Sequence, residues 1–279
     1  MTHPGPGGPS RTWPAPTVPL LATAAGVAVV AGAMVHLAPG LTTFRTARCA
    51  MLPVLSGVGR PGHVALTFDD GPDPRSTPAF LDALDQLGWK ATFFLLGEQV
   101  ARHPDLAAEL PRRGHELGVH GFHHSNHLRR SLRWTTDDLR RATDAIGAAT
   151  GADARWFRPP YGALAASSLV AARRAGLPTV LWTTWGRDWR PQAPPTTVAA
   201  DLTATWHHGA TVLLHDSDVT SAPGSWRAAL GALPMVAERW AEAGLTVGPL
   251  ADHGLGRGPA ADRGGERAGR VGPVSLGRE

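Results

Sequence analysis

Leu66-Thr67-Phe68-Asp69-Asp70-Gly71-Pro72-Asp73-Pro74 closes an apolar run that starts at Val64 and stops abruptly at two adjacent carboxylates followed by Gly-Pro. Such a run reads as a buried strand ending in a turn. The carboxyl ends of strands are where α/β folds collect their chemistry. Neighbouring side chains on an extended backbone point to opposite sides, but a turn just beyond the strand lets both acids reach one cavity in different roles. One carboxylate would bind a metal while the other handles a proton. Asp, Gly and Pro are also ordinary turn formers, so the rest of the chain has to decide between a plain turn and a site.

Outward from this stretch, apolar strand-like runs alternate with segments of helical period. The strands are expected at Val64–Phe68, Ala91–Leu95, Glu116–Val119, Trp156–Phe157, Thr179–Trp182, Thr211–Leu214 and Leu245–Val247. Helices are expected near Pro78–Leu87, Pro104–Arg113, Thr135–Thr150, Ala166–Ala175, Thr196–Trp206 and Trp226–Ala243. Repeated strand-then-helix units imply parallel strands with crossover helices, and so an α/β sheet or barrel.

A chain of 279 residues with 43% hydrophobic content suffices for one sizeable core, one catalytic-size domain with tails. The formal charge is +4, and the 27 basic residues contain no run of five or six, which excludes the footprint of a nucleic-acid binder. Cys49 is the single cysteine, so no intrachain disulfide framework exists. Residues 1–17 are rich in Pro and Gly and are expected to be disordered. Val18–Ala38 carries no charged residue apart from His36 when protonated, and about twenty apolar residues is the length of a membrane-spanning helix. A cleaved signal segment is the alternative. Residues 39–59 then read as a linker, 60–250 as the domain, and 251–279, which lose all periodicity, as a disordered tail.

His120-Gly121-Phe122-His123-His124-Ser125-Asn126-His127 places four imidazoles in eight residues. Histidines four apart share one face of a helical turn and can bind one ion, a spacing that both His120 with His124 and His123 with His127 satisfy. Two histidines and one carboxylate, supplied by Asp69 or Asp70, leave positions open for water and substrate, the pattern of a catalytic metal site. Arg158-Pro159-Pro160-Tyr161-Gly162 follows a short strand on a stiffened backbone, and an Arg beside an ionised Asp would keep it charged and oriented. His215 stands at the end of another strand with the possible role of general acid. The indoles of Trp182, Trp185 and Trp189 would stack on sugar faces or fill a groove wall.

Taken in order, these segments resemble the NodB-homology polysaccharide deacetylases, the fourth family of carbohydrate esterases, over about Val64 to Val247. The resemblance implies a distorted (β/α) barrel of about seven parallel strands, with Asp69 as catalytic base and Asp70, His120 and His124 as ligands of a divalent metal ion, zinc being the expected one. It also implies that Arg158 orients the base, the Tyr161 amide helps hold the oxyanion, and Asp188 tunes His215 as the general acid. Trp189 and Leu213 correspond to the acetyl pocket. Two positions depart from the family pattern: Gly121 stands where Ser or Thr is usual, removing a loop-ordering hydroxyl, and Trp185 replaces an Asp, which bears on substrate preference. The implied reaction is removal of N-acetyl groups from a polysaccharide or cell-wall glycan. The alternatives are an amidase or deformylase acting on a small or lipid-linked substrate, and a glycan-binding module without turnover. Arg11 on one side of the apolar segment and Arg45 and Arg48 on the other lean toward a cytoplasmic body. A glycan substrate outweighs so small a difference, so the expected protein is a membrane-anchored monomer with an extracytoplasmic domain, or a secreted one if the segment is cleaved.

Overall fold

The structure, a computed structural model, describes residues 20–205 and 209–255, with side chains described within 29–204 and 209–255. Seven strands form one parallel sheet: β1 (His63–Asp69), β2 (Thr92–Leu95), β3 (Glu116–Val119), β4 (Trp156–Phe157), β5 (Thr184–Trp185), β6 (Thr211–His215) and β7 (Thr246–Gly248). Their order is β4-β3-β2-β1-β6-β5, with β7 paired to the first half of β1. The helices are α1 (Leu20–Leu37), α2 (Arg45–Met51), α3 (Pro53–Ser56), α4 (Thr77–Leu87), α5 (Gly97–Arg102), α6 (Pro104–Arg112), α7 (Leu132–Thr150), α8 (Ala166–Arg174), α9 (Pro195–Thr205) and α10 (Trp226–Glu242).

Strand β1 is central and buried at every position, which is why it reads as an unbroken apolar run. Alternation along it still sorts two faces. Phe68 points into the main core, where its ring centroid lies 5.1 Å from Phe80 of α4 and 5.0 Å from Phe93. Truncating such a ring to Ala costs about 3–5 kcal/mol. Ala65 belongs instead to a second cluster with Phe94 and Val180, and Thr67 and Asp69 share its side of the strand. Polar groups on that side are the ones the site uses.

The expected strand at Thr179–Trp182 is not a strand. Thr179 makes one bridge to Phe157, Val180 donates to the Phe157 carbonyl, and Leu181 donates to Leu55. Thr183 then donates to Thr211, and pairing with β6 begins only at Thr184. This irregular crossing joins β4 to β6 and closes the sheet into a distorted barrel.

Its partner Leu55 lies in the stretch 39–59, expected as a linker, which instead carries α2, α3 and a 3-10 turn packed on the domain. Arg48 is buried there, donating to Ser56 Oγ at 3.2 Å and to the carbonyls of Thr42 at 2.8 Å and Trp182. A guanidinium that donates to three segments fastens the stretch in a way that no hydrophobic periodicity announces.

At the other end, residues 251–255 belong to the domain rather than to a tail, because His253 and Leu255 are buried. Residues 1–17 and 256–279 lie outside the described residues, as do part of Val18–Ala38 and most of its side chains. Among the described residues no helix is long and apolar enough to cross a membrane.

Candidate active site

Asp69 is the last residue of β1, and Asp70 follows in a left-handed conformation with φ of 82°. That reversal turns the second carboxylate toward the cavity entered by the first. Left-handed backbone is costly for a residue with a Cβ, on the order of 1–2 kcal/mol, and it collects at functional sites. Tyr161 is held likewise, with φ of 60°. Gly71 is required by the packing behind the turn, where a Cβ would lie 2.3 Å from a carboxylate oxygen of Asp216.

His120 leaves β3, and its Nδ1–H donates to the Arg158 carbonyl at 2.8 Å. This fixes the tautomer and leaves the Nε2 lone pair for a ligand. His120 Nε2 and His124 Nε2 each lie 3.5 Å from Asp70 Oδ1. That oxygen is buried with no hydrogen-bond partner, whereas Asp70 Oδ2 accepts from the hydroxyl of Thr220. Burial lowers the pKa of both imidazoles and so favours their neutral, ligating form. The three ligand atoms of Asp70, His120 and His124 lie within 4.8 Å of one another, and this is the one such group found among the described residues. An orphaned carboxylate oxygen facing two imidazole lone pairs fits a divalent cation.

The other histidine pair goes elsewhere. His123 Nδ1 donates to Asp138 at 2.8 Å, and the buried His127 stacks on Phe157 and meets Ser168 Oγ at 3.1 Å. The spacing argument needed a helical turn, but residues 120–126 are an irregular loop. The ligands converge because the chain doubles back at Gly121, φ +90°.

Arg158 is fully buried and donates to Asp69 Oδ1 at 2.7 Å, to Thr67 Oγ1 at 2.8 Å and to the Leu181 carbonyl at 3.0 Å, with its guanidinium 4.0 Å over the Phe94 ring. Burial nevertheless pushes the Asp69 carboxyl up to about 6, against the opposing pull of Arg158. A carboxylate poised there is still mostly ionised at neutral pH and is a stronger base than an exposed one. On the far side, Asp188 accepts from His215 Nδ1 at 3.0 Å and from the His215 amide at 2.7 Å. Burial works against the charged imidazole, but the Asp188 carboxylate outweighs it, and the His215 pKa is pushed up to about 10.

Leu213 is buried with Leu181 and Trp182, and Trp185 packs partly buried against them. From there a row of rings leads to His215, with Trp182 to Trp185 at 5.9 Å, Trp185 to Trp189 at 5.2 Å and Trp189 to His215 at 5.8 Å. The Tyr161 ring lies 4.2 Å from that of His124 and is largely exposed. Asp69, Asp70, His120, His124 and Arg158 are thus joined by direct contacts, with His215 in register beside Asp69 and the Trp row leading up to it, whereas His123 and His127 turn away. Sequence reasoning missed Thr220, which steadies Asp70, and Asp216, a buried carboxyl that burial pushes up to about 7 and that accepts from Thr77 at 2.5 Å. Asp216 had a signal in its position beside His215; Thr220 had none.

A profile of the polysaccharide deacetylase family matches residues 57–180. The chain is 39% identical over 154 residues to a chitooligosaccharide deacetylase of Bradyrhizobium sp. (strain ANU 289), covering 55% of this chain and 70% of that one. The chain belongs to the polysaccharide deacetylase family. Within this family it is also 35% identical over 160 residues to the peptidoglycan-N-acetylglucosamine deacetylase PgdA of Listeria monocytogenes, covering 57% of this chain and 34% of the relative. The chain thus spans about a third of that longer protein's length. Among solved structures, a CE4 family pseudoenzyme from Bacillus anthracis superposes with a TM-score of 0.64 at 27% identity, covering 70% of this chain and 66% of that one. A polysaccharide deacetylase fold therefore does not by itself guarantee turnover, and the decision rests on the residues in the site.

Proposed function

We propose that this protein is a metal-dependent hydrolase that removes N-acetyl groups from a polysaccharide or cell-wall glycan, releasing acetate and a free amino sugar. The observation that carries the reading is the buried, partnerless Asp70 Oδ1 facing the Nε2 atoms of His120 and His124, with Asp69 beside it on Arg158. Asp70, His120 and His124 would hold the ion, with zinc the expected one from its preference for such mixed nitrogen and oxygen sites. A divalent ion there supplies Lewis acidity, lowering the pKa of a water and polarising an acetyl carbonyl.

The chain's own groups do the rest. Asp69 takes the proton from the attacking water, and Arg158 keeps its carboxylate aimed while doing so. The Tyr161 amide donates to the oxygen that becomes negative when the carbonyl turns tetrahedral. His215, held charged by Asp188, gives its Nε2 proton to the departing amine. The indoles of Trp185 and Trp189, with Leu213, form an apolar wall suited to an acetyl methyl and a sugar face.

Acetate release by the purified full chain, measured on chitin oligomers, peptidoglycan fragments and a lipid-linked acetylated sugar with and without chelator, tests the proposal. Chelator-sensitive release from a glycan is the expected result. Release from the lipid-linked sugar alone would move the substrate to the small or lipid-linked class. Saturable sugar binding without release, in metal-loaded protein, would replace the enzyme with a binding module.

The same reading places the domain outside the cytoplasm, tethered as a monomer through Val18–Ala38. It is supported by the large apolar side chains of Val29, Val30, Met34 and Val35, which stand exposed on α1. Retention of the full chain in the membrane fraction after an alkaline carbonate wash is expected. Complete extraction would remove the tether.

A further inference from the structure

The loop that carries His124 has no secondary structure of its own, yet its ligand must be held to a fraction of an ångström for an ion to bind. Two of its backbone carbonyls are held by α5, where Gly97 donates to the Gly121 carbonyl and Glu98 to that of Phe122, both at 3.0 Å. Two of its amides, those of Phe122 and His123, donate to one side chain from a different helix. Asp138 of α7 is 3% exposed, and its Oδ2 accepts from the Phe122 amide at 2.9 Å. Its Oδ1 accepts from the His123 amide at 3.2 Å and from His123 Nδ1 at 2.8 Å.

Space and charge agree with this arrangement. A Cβ built on Gly121 would sit 2.9 Å from Asp138 Oδ2, so the carboxylate fills the volume that a side chain at that position would need. The absence of a hydroxyl at 121 and the presence of a buried acid on α7 are thus two halves of one packing solution. A charged acceptor also holds its donors more strongly than a neutral hydroxyl would.

We infer that Asp138 is a positioning residue for the ligand His124, acting through the 121–123 backbone in place of a side-chain hydroxyl at Gly121. The inference rests on the metal site proposed above. Removing Asp138 leaves two partly buried amides without their acceptor and releases the loop, so the effect falls on ion affinity rather than on the proton-transfer groups.

The test uses the full chain, stripped of metal and titrated with Zn2+ against a chromophoric chelator, with Asp138→Ala, Asp138→Asn and, as a control on the exposed side of the same helix, Asp137→Ala. Losing a group that orients a metal ligand lowers affinity about 10–100-fold. Asp138→Ala is expected to fall in that range and Asp138→Asn to fall less, because one oxygen acceptor survives. Asp137→Ala should match the parent, and acetate release by Asp138→Asn should return to near parental rates at saturating Zn2+. Should Asp138→Ala fail to fold, the asparagine variant carries the reading alone. Unchanged Zn2+ affinity in the Asp138 variants, with a lower melting temperature as the single effect, would overturn the inference and leave Asp138 a scaffold residue. A parent protein that binds no Zn2+ would overturn the metal site itself, an outcome distinct from equal binding by parent and variant.

Discussion

Two histidine pairs sit at opposite ends of β1, and they have different fates. At its amino end, His63 and His253 bring their Nδ1 atoms to 2.8 Å, and His253 Nε2 donates to the Gly57 carbonyl at 3.2 Å. That contact ties the last described turn to the first strand and to the segment before it. At the carboxyl end, His120 and His124 keep their ring centroids 5.4 Å apart, and both aim Nε2 at a carboxylate oxygen that nothing satisfies. Burial lowers the pKa of all four. Imidazole clustering and perturbed titration are therefore common to both ends, and what separates a lock from a ligand set is whether the lone pairs are already used.

Metal removal should break the comparison most sharply. Chelation is expected to abolish acetate release, with Zn2+ restoring it; activity that persists in metal-free protein would place His120 and His124, the upper pair, in the same structural class as His63 and His253, the lower one. Next in size, Asp69→Asn should cost about 10²–10⁴-fold in kcat, the range for losing a general base, while Zn2+ affinity stays near the parent's. A near-normal rate in that variant would reassign the base.

The lower pair should respond in stability instead. His253→Ala removes a fully buried ring and is expected to cost roughly 2–4 kcal/mol, a cavity-sized loss, in denaturant unfolding, with kcat per folded molecule unchanged. A fall in kcat without a fall in stability would mean that the two ends are coupled.

A pH series sharpens the same contrast. Burial lowers the pKa of each of His115, His127 and His253 to about 4. Unfolded imidazole titrates near 6.5, so between these values the unfolded chain binds more protons than the folded one. Stability contributed by keeping these rings neutral is fully present above about pH 6.5 and is lost progressively toward pH 4. From pH 7 to 8 these rings add no slope, and the melting temperature should fall gently because His215 is held charged when folded; below about 6 their protonation should lower it, and a His253→Ala curve parallel to the parent's down to pH 4.5 would show that this ring is not buried neutral. Smallest of all, Trp185→Ala should shift KM between glycans by a few-fold with little change in kcat, as expected when one packing contact of a pocket wall is lost. Equal KM changes for every substrate would deny it a part in preference.

Much of this was legible in the chain because local chemistry carried it. Strand β3 and the two-residue β4 fall where the apolar runs place them, and β1 extends its run by one residue at each end. Those runs survive because each is buried on both faces. The crossing at Thr179–Thr183 was not legible, since its residues look as strand-like as β6 but their hydrogen bonds go to Leu55, Phe157 and Thr211 in turn. Nor was the packed stretch 39–59, which is held by Arg48, a residue type that composition assigns to solvent. The helical spacing fitted both histidine pairs of residues 120–127, and the family resemblance selected His120 with His124; that pair does face Asp70, but from an irregular loop rather than a helical turn. They stand four positions apart in either conformation, and Gly121 allows the loop to bring them together.

The sequence by itself determined the strand-and-helix alternation, the two acids at the end of β1 and the set of residue types available for chemistry, because these depend on period and on neighbours along the chain. Only the tertiary structure decided which histidines face Asp70, that Asp138 closes the loop in the space left by Gly121, and that Arg158 reaches Asp69 across the barrel. The physical reason is that a ligand set is defined by unsatisfied lone pairs meeting in a buried space, and which lone pairs remain unsatisfied depends on partners tens of residues away.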